Sequence, residues 1–176
     1  MLKRTCRQMV YYALFTAILF VQEQLFSFLP NIQLTIFLFV LYAKVLGCLP
    51  TLGIAIIHVG LDCIINGSIA PFVVIPMAVG YACIPILIHF FLKNTNKPLF
   101  LALYGVFSAI LYSLCFTITN ALCLDISIQS YILADIPFVL LLCASSFLSI
   151  LWLYAPCYQL LQRLLPAYLF KKGEPL

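Results

Sequence analysis

Three polar side chains recur at every fourth position of the apolar stretch HVGLDCIING, residues 58–67. They are an imidazole, a carboxylate and an amide: His58, Asp62 and Asn66. Residues four apart lie on one face of an α-helix, so the three would form a polar stripe. An imidazole beside a carboxylate can relay protons, and a carboxylate with an amide can bind a solute. Each also has a structural interpretation, because His58 and Asp62 can bond to each other or to backbone, and Asn66 beside Gly67 is typical of a turn.

The composition indicates that this stripe lies in a membrane. The chain has 176 residues, of which 65% are hydrophobic and 8% charged, whereas a soluble domain carries about 25% charged residues. Apolar stretches of roughly 20 residues, the length of helix that crosses a bilayer, follow one another along the chain. We therefore expect an all-α polytopic membrane protein, with residues 1–176 forming a single integral membrane domain.

The apolar stretches divide into six predicted transmembrane helices. They cover about residues 9–29, 34–49, 51–66, 71–92, 99–121 and 132–162. The last is longer than a bilayer requires, so we expect its end to emerge at the surface. The first is expected to be a retained span and not a signal peptide, because no small-x-small cleavage site follows it.

The basic residues predict the orientation of this six-helix bundle. All nine fall on the same side of the predicted spans: Lys3, Arg4, Arg7, Lys44, Lys93, Lys97, Arg163, Lys171 and Lys172. The excess of Lys and Arg in cytoplasmic segments then places both termini in the cytoplasm, as for a multi-pass protein of a bacterial cell membrane. These charges are a cytoplasmic rim, so no nucleic-acid partner is expected.

The remaining polar side chains fall mostly in the half of the spans that faces outward. They are Gln22, Glu23, Asn31, Gln33, His58, Asp62, Asn66, Asn120 and Asp135. Polar residues within membrane spans tend to face a bundle interior or a cavity, so we predict that this set lines an outward-open site for a solute. Because the outer half holds Glu23, Asp62 and Asp135 and no Lys or Arg, the predicted ligand is neutral or cationic. Asp135, just before Ile136-Pro137, has the alternative role of a helix N-cap.

The first span carries a small-xxx-small pair, Ala13 and Ala17, which would let a partner helix approach closely. Gly105 and Ala109 have the same spacing and are expected to mark a contact inside the bundle. No phosphate-binding Gly-rich loop, HExxH motif or Gly-x-Ser-x-Gly elbow occurs. The eight cysteines show no metal-ligand spacing. We therefore expect no enzymatic activity, no catalytic residues, no metal site and no cofactor.

The whole chain resembles the substrate-binding membrane subunits, or S components, of energy-coupling factor (ECF) transporters. The similarity rests on six spans with both ends inside, the small pair in ALFTA (13–17), the predicted outer loop FLPNIQLT (28–35) and the C-terminal LYAPCYQLLQRLL (153–165). The resemblance implies a subunit that binds a vitamin or related micronutrient at the outer end. It also implies docking through Ala13 and Ala17 onto a transmembrane coupling subunit that two cytoplasmic ATPases drive.

Two other classes of membrane protein remain as alternatives. Scaffolds of the rod-shape-determining type have a similar length and six-span architecture, but they have no reason to gather Gln22, Glu23, Asp62 and Asn66 at one mouth. A stand-alone proton-coupled carrier would use His58 and Asp62 as a proton relay, and it would transport a solute without ATPase partners.

Overall fold

The computed structural model describes residues 2–29, 31–166 and 169, without the side chains of residues 2–5. These residues form six α-helices and, within the described part of the chain, no strand. The helices are α1 (Leu2–Leu25), α2 (Thr35–Val45), α3 (Cys48–Ile65), α4 (Pro71–Phe91), α5 (Pro98–Leu124) and α6 (Ile128–Leu164). The predicted all-α class is confirmed.

Four of these helices, α3 to α6, are long and apolar enough to cross a membrane. α2 has 11 residues and is therefore about 17 Å long, well short of the roughly 30 Å of hydrocarbon in a bilayer. α1 has 24 residues and sufficient length, but Lys3, Arg4 and Arg7 near its start and QEQ (22–24) near its end make it less apolar. The four long apolar helices are consistent with a membrane protein.

The start of α6 differs from that of the predicted span 132–162. α6 begins at Ile128, because the Ser127 hydroxyl accepts a hydrogen bond from the Ser130 backbone N–H at 3.2 Å. Asp135 therefore lies about two turns inside α6, and Ser127 is the N-cap instead. The resulting helix has 37 residues and is about 55 Å long, longer than the predicted span.

α2 lies at the centre of the bundle and contacts each of the other five helices. Around it, neighbouring helices contact one another in the order α1, α3, α4, α5 and α6. Every side chain of α2 except Lys44 is buried. The sequence TIFLFVLYAKV is compatible with this position, because a helix that is apolar on all sides must be surrounded by apolar groups, whether of protein or of lipid.

Glycine allows the outer helices to approach closely in two places. Gly80 of α4 faces Tyr112 of α5, and a Cβ atom at Gly80 would lie 2.6 Å from Tyr112 Cδ2. Gly105 of α5 faces Ile150 of α6, with no room for a Cβ atom unless Ile150 moves. Gly105 and Ala109 are both buried, which confirms the internal contact expected from their spacing.

The described basic side chains gather at one end of the bundle, which we call the basic end. Lys44 Nζ, near the end of α2, donates to the carbonyl oxygens of Leu92 and Lys93, just after α4, at 3.0 Å each. Arg7 of α1 and Arg163 of α6 line a shared cavity. α2, α4 and α6 end at the basic end, and α1, α3 and α5 begin there.

Candidate functional site

His58 and Asp62 of the polar stripe are on the buried face of α3, whereas Asn66, just after the helix, is exposed. Buried positions recur at the spacing of a helix face, and they are Thr51, Ile54, Ala55, His58, Val59, Asp62 and Cys63. His58 has no exposed surface and Asp62 is 8% exposed. Since α3 packs between α1 and α4, His58 and Asp62 are directed into the bundle.

His58 and Glu23 form a close contact between α3 and α1. His58 Nε2 lies 2.8 Å from Glu23 Oε2, and the Glu23 side chain is 16% exposed. The two atoms are not aligned for a hydrogen bond, and His58 Nδ1 has no hydrogen-bond partner among the described residues. The contact is an ion pair when the imidazole is protonated.

Asp62 extends this contact toward the end of α3. Its Oδ1 accepts hydrogen bonds from Asn66 Nδ2 at 2.7 Å and from Gln24 Nε2 at 3.5 Å. The backbone N–H of Ser68 donates to the Cys63 carbonyl at 2.9 Å, and Gly67 has a φ of 65°. This is a Schellman turn, in which the residue after the C-cap adopts a left-handed conformation that glycine favours, here Gly67. The turn leaves the Asn66 side chain free to reach Asp62.

We call Glu23, Gln24, His58, Asp62 and Asn66 the α1–α3 polar cluster. It combines two carboxylates, one imidazole and two amides in the part of the bundle away from the basic end. Carboxylates accept hydrogen bonds or pair with cations, and amides both donate and accept hydrogen bonds, so the cluster offers complementary partners to a polar solute.

Four rings form an aromatic wall beside the α1–α3 polar cluster: Phe39, Tyr81, Tyr112 and Phe116. The His58 ring centroid lies 6.0 Å from that of Phe39 and 5.7 Å from that of Tyr81. Tyr81 stacks on Tyr112 at 4.8 Å, and Tyr112 contacts Phe116 at 5.0 Å. Three helices, α2, α4 and α5, thus contribute aromatic rings beside the imidazole.

Gln22 joins α1 to the start of α2. Its Nε2 donates to the Leu19 carbonyl at 3.0 Å and to Thr35 Oγ1 at 2.8 Å. Its Oε1 accepts from the Leu34 N–H at 3.0 Å. Both amide protons are therefore already bonded within the protein, and the side chain is 8% exposed.

The predicted outer-loop residues lie between α1 and α2, and one of them bonds to α6. The Gln33 N–H donates to Ser145 Oγ at 3.2 Å, and the Ser145 hydroxyl donates to the Gln33 carbonyl at 2.8 Å. Asn31 is half-buried in a turn with a φ of 56°. This loop is therefore fixed to the middle of α6.

Asn120 and Asp135 lie between α5 and α6, apart from the α1–α3 polar cluster. Asn120 Nδ2 donates to the Phe116 carbonyl at 2.9 Å and to the Tyr131 hydroxyl at 3.2 Å. The Ser113 hydroxyl donates to Asp135 Oδ2. Asp135 also lines a mainly apolar cavity of about 200 Å³ between these two helices.

Ala13 and Ala17 are exposed on the outer face of α1. Phe15, Leu19 and Gln22, on another side of the same helix, are buried. The small-residue pair is therefore not occupied by packing within the described part of the chain.

Sequence reasoning missed two residues of the site, Gln24 and Tyr81. A signal for Gln24 existed, because it is adjacent to Glu23 in QEQ (22–24). No sequence pattern indicates Tyr81, because the chain contains 10 tyrosines and only tertiary packing distinguishes this one. Among the described residues, no group of three His, Cys, Asp or Glu side chains is arranged to hold a metal ion.

The candidate site therefore consists of the α1–α3 polar cluster and the aromatic wall, in a bundle whose exposed surface is largely apolar.

Comparisons with known protein families, with curated proteins and with solved structures find no match to this chain.

Proposed function

We propose that this chain is the substrate-binding subunit of an ECF-type importer, with a neutral or cationic micronutrient as its ligand. The α1–α3 polar cluster carries the proposal. Glu23, His58 and Asp62 are largely removed from solvent, and His58 Nδ1 has no hydrogen-bond partner among the described residues. A buried polar group without a hydrogen bond costs about 1–3 kcal/mol. A solute that bonds to these groups would offset that cost.

The charge of the cluster supports the proposed ligand class. Glu23 and Asp62 contribute two carboxylates, and the described Lys and Arg side chains lie at the basic end. An anionic solute would face like charges, whereas an amine or a hydrogen-bonding neutral solute would be stabilised. The rings of Phe39 and Tyr81 could pack against the apolar part of such a ligand.

The proposed topology has six membrane-embedded helices and both termini in the cytoplasm. Under the positive-inside rule, the basic end faces the cytoplasm. α2 is short, but the other five helices surround it, so it need not reach both surfaces of the bilayer. The exposed Ala13 and Ala17 on α1 are then available for docking to a transmembrane coupling subunit that carries two cytoplasmic ATPases.

The test of this function is purification of the chain in mild detergent, followed by mass spectrometry of any released small molecule. The proposal expects one neutral or cationic compound in stoichiometric amount. A phosphate-bearing or polycarboxylate ligand that binds in the micromolar range would contradict it.

A stand-alone proton-coupled carrier is the second candidate, and the contact between His58 and Glu23 favours it. An imidazole 2.8 Å from a carboxylate, one turn from Asp62, could exchange protons during transport. Proteoliposomes containing the chain alone discriminate the two candidates. Uptake driven by a pH gradient supports the carrier, whereas binding without uptake supports the ECF subunit.

A further inference from the structure

The cavity at the basic end is lined by two arginines that are far apart in sequence. Arg7 comes from the first turns of α1 and Arg163 from the last turn of α6, and the cavity measures about 510 Å³. Ligand pockets typically measure about 300–1,000 Å³. Tyr11, Leu165 and Pro166 also line it, so the cavity combines positive charge with apolar surface.

The end of α6 shapes this cavity. α6 ends at Leu164, where Pro166 cannot continue the hydrogen-bond ladder. Leu165 and Leu169 are buried, at 9% and 4% exposure, and the Leu169 N–H donates to the Pro166 carbonyl at 2.9 Å. Leu165 and Pro166 therefore form one wall of the cavity beside Arg163.

No acidic side chain offsets the two guanidinium groups within the described part of the chain. Arg7 and Arg163 are both exposed, and the single ion pair found among the described residues is that of His58 with Glu23. Among residues 2–29, 31–166 and 169, no Asp or Glu lines the cavity. Two like charges beside one cavity repel each other, and an anion between them would reverse the sign of that energy.

We propose that the cavity between Arg7 and Arg163 binds the phosphate group of an anionic phospholipid. Guanidinium groups bind phosphate oxygens in a bidentate manner. At the basic end, the cavity would lie level with the lipid headgroups. Basic pockets between membrane helices on the cytoplasmic side bind anionic headgroups by this chemistry. Val10, 67% exposed, and Leu164, also 67% exposed, flank the arginines and would contact the acyl chains.

Native mass spectrometry of the full chain, released from nanodiscs, tests this site. The lipid probes are phosphatidylglycerol and phosphatidylcholine in equal amounts, and inorganic phosphate at millimolar concentration is the soluble competitor. The variants are Arg7→Gln, Arg163→Gln and the double variant. Lys97→Gln is the matched control, because it removes one positive charge just before α5, outside the cavity.

The proposal expects the wild type and Lys97→Gln to retain phosphatidylglycerol in preference to phosphatidylcholine. Each arginine substitution should weaken retention about ten-fold, because it removes the charge-assisted hydrogen bonds of one guanidinium group to the phosphate, which Lys97 does not make. Arg7→Lys should keep part of the affinity, because the charge remains and the bidentate geometry is lost.

Equal retention by the double variant and the wild type would overturn the proposal, as would equal retention of both lipids by the wild type. Displacement of the lipid by inorganic phosphate would overturn the assignment to a lipid and identify a site for soluble phosphate. Because Arg7 and Arg163 are exposed, the variants are expected to fold, and an unchanged apparent Tm confirms this. The outcome does not depend on whether the α1–α3 polar cluster binds a micronutrient.

Discussion

Replacing Gly80 with alanine would introduce a methyl group where the Tyr112 side chain now packs. The added Cβ atom would lie 2.6 Å from Tyr112 Cδ2 and 3.4 Å from Tyr112 Cα. The ring cannot simply rotate away, because it stacks on Tyr81 at 4.8 Å and contacts Phe116 at 5.0 Å. α4 and α5 must therefore separate, or the aromatic wall must rearrange.

Two opposing contributions determine the size of the effect. Alanine favours a helix over glycine by about 1 kcal/mol, whereas overpacking a well-packed interior costs about 1–3 kcal/mol. Gly60, inside α3, provides the matched control, because its added Cβ atom would have no neighbour within 4 Å. Gly60→Ala should therefore be neutral or stabilising. The two substitutions should differ by about 2 kcal/mol, or about 6 °C in apparent Tm for a chain of this size.

Thermal unfolding in detergent, followed with a thiol-reactive dye, measures this difference. Cys63 is buried and becomes reactive only when the bundle opens. Gly80→Ala should unfold at a lower temperature than Gly60→Ala. Equal apparent Tm values, or a more stable Gly80→Ala, would refute the close packing of α4 on α5 and with it the position of Tyr81 beside His58.

Three further predictions concern the ends and faces of the bundle. Replacing both Ala13 and Ala17 with Trp should abolish co-purification with a coupling subunit and leave ligand binding intact; a surviving complex would place the docking face elsewhere. Lys44→Met should lower the apparent Tm relative to Lys44→Arg, because methionine loses the hydrogen bonds to the end of α4, and hydrogen bonds to charged groups contribute about 1.5–3 kcal/mol each. Equal apparent Tm values of the two variants would contradict this contact. Gln22→Leu should speed amide exchange at Leu34, whose N–H loses its acceptor; unchanged exchange would contradict the link between α1 and α2.

Much of the fold follows from local sequence patterns. Composition and the length of the apolar stretches predicted the all-α class, and the predicted spans 71–92 and 99–121 correspond closely to α4 and α5. The central position of α2 was not predicted, because an apolar stretch reads the same whether lipid or protein surrounds it. The early start of α6 was missed because Ser127, a modest local signal, caps the helix.

The candidate site was predictable only in part. Helical periodicity correctly placed His58 and Asp62 on one face of α3, and the Glu23 contact lies within the predicted set. Periodicity fixes which residues share a face of one helix, but it does not determine which helices become neighbours. Asn120 and Asp135 consequently bond between α5 and α6, although their predicted depth in the membrane matched that of the α3 stripe.

The most direct test of the central claim is the affinity of the co-purified solute for three forms of the chain: wild type, Asp62→Asn and Asp125→Asn. Asp125 is an exposed carboxylate at the end of α5 with a φ of 56°, which asparagine tolerates well, so this variant controls for loss of charge. We expect Asp62→Asn to weaken binding by about ten-fold or more, the effect of losing a hydrogen bond to a charged group, and Asp125→Asn to leave it unchanged. Equal affinity in all three forms would contradict a ligand site at the α1–α3 polar cluster.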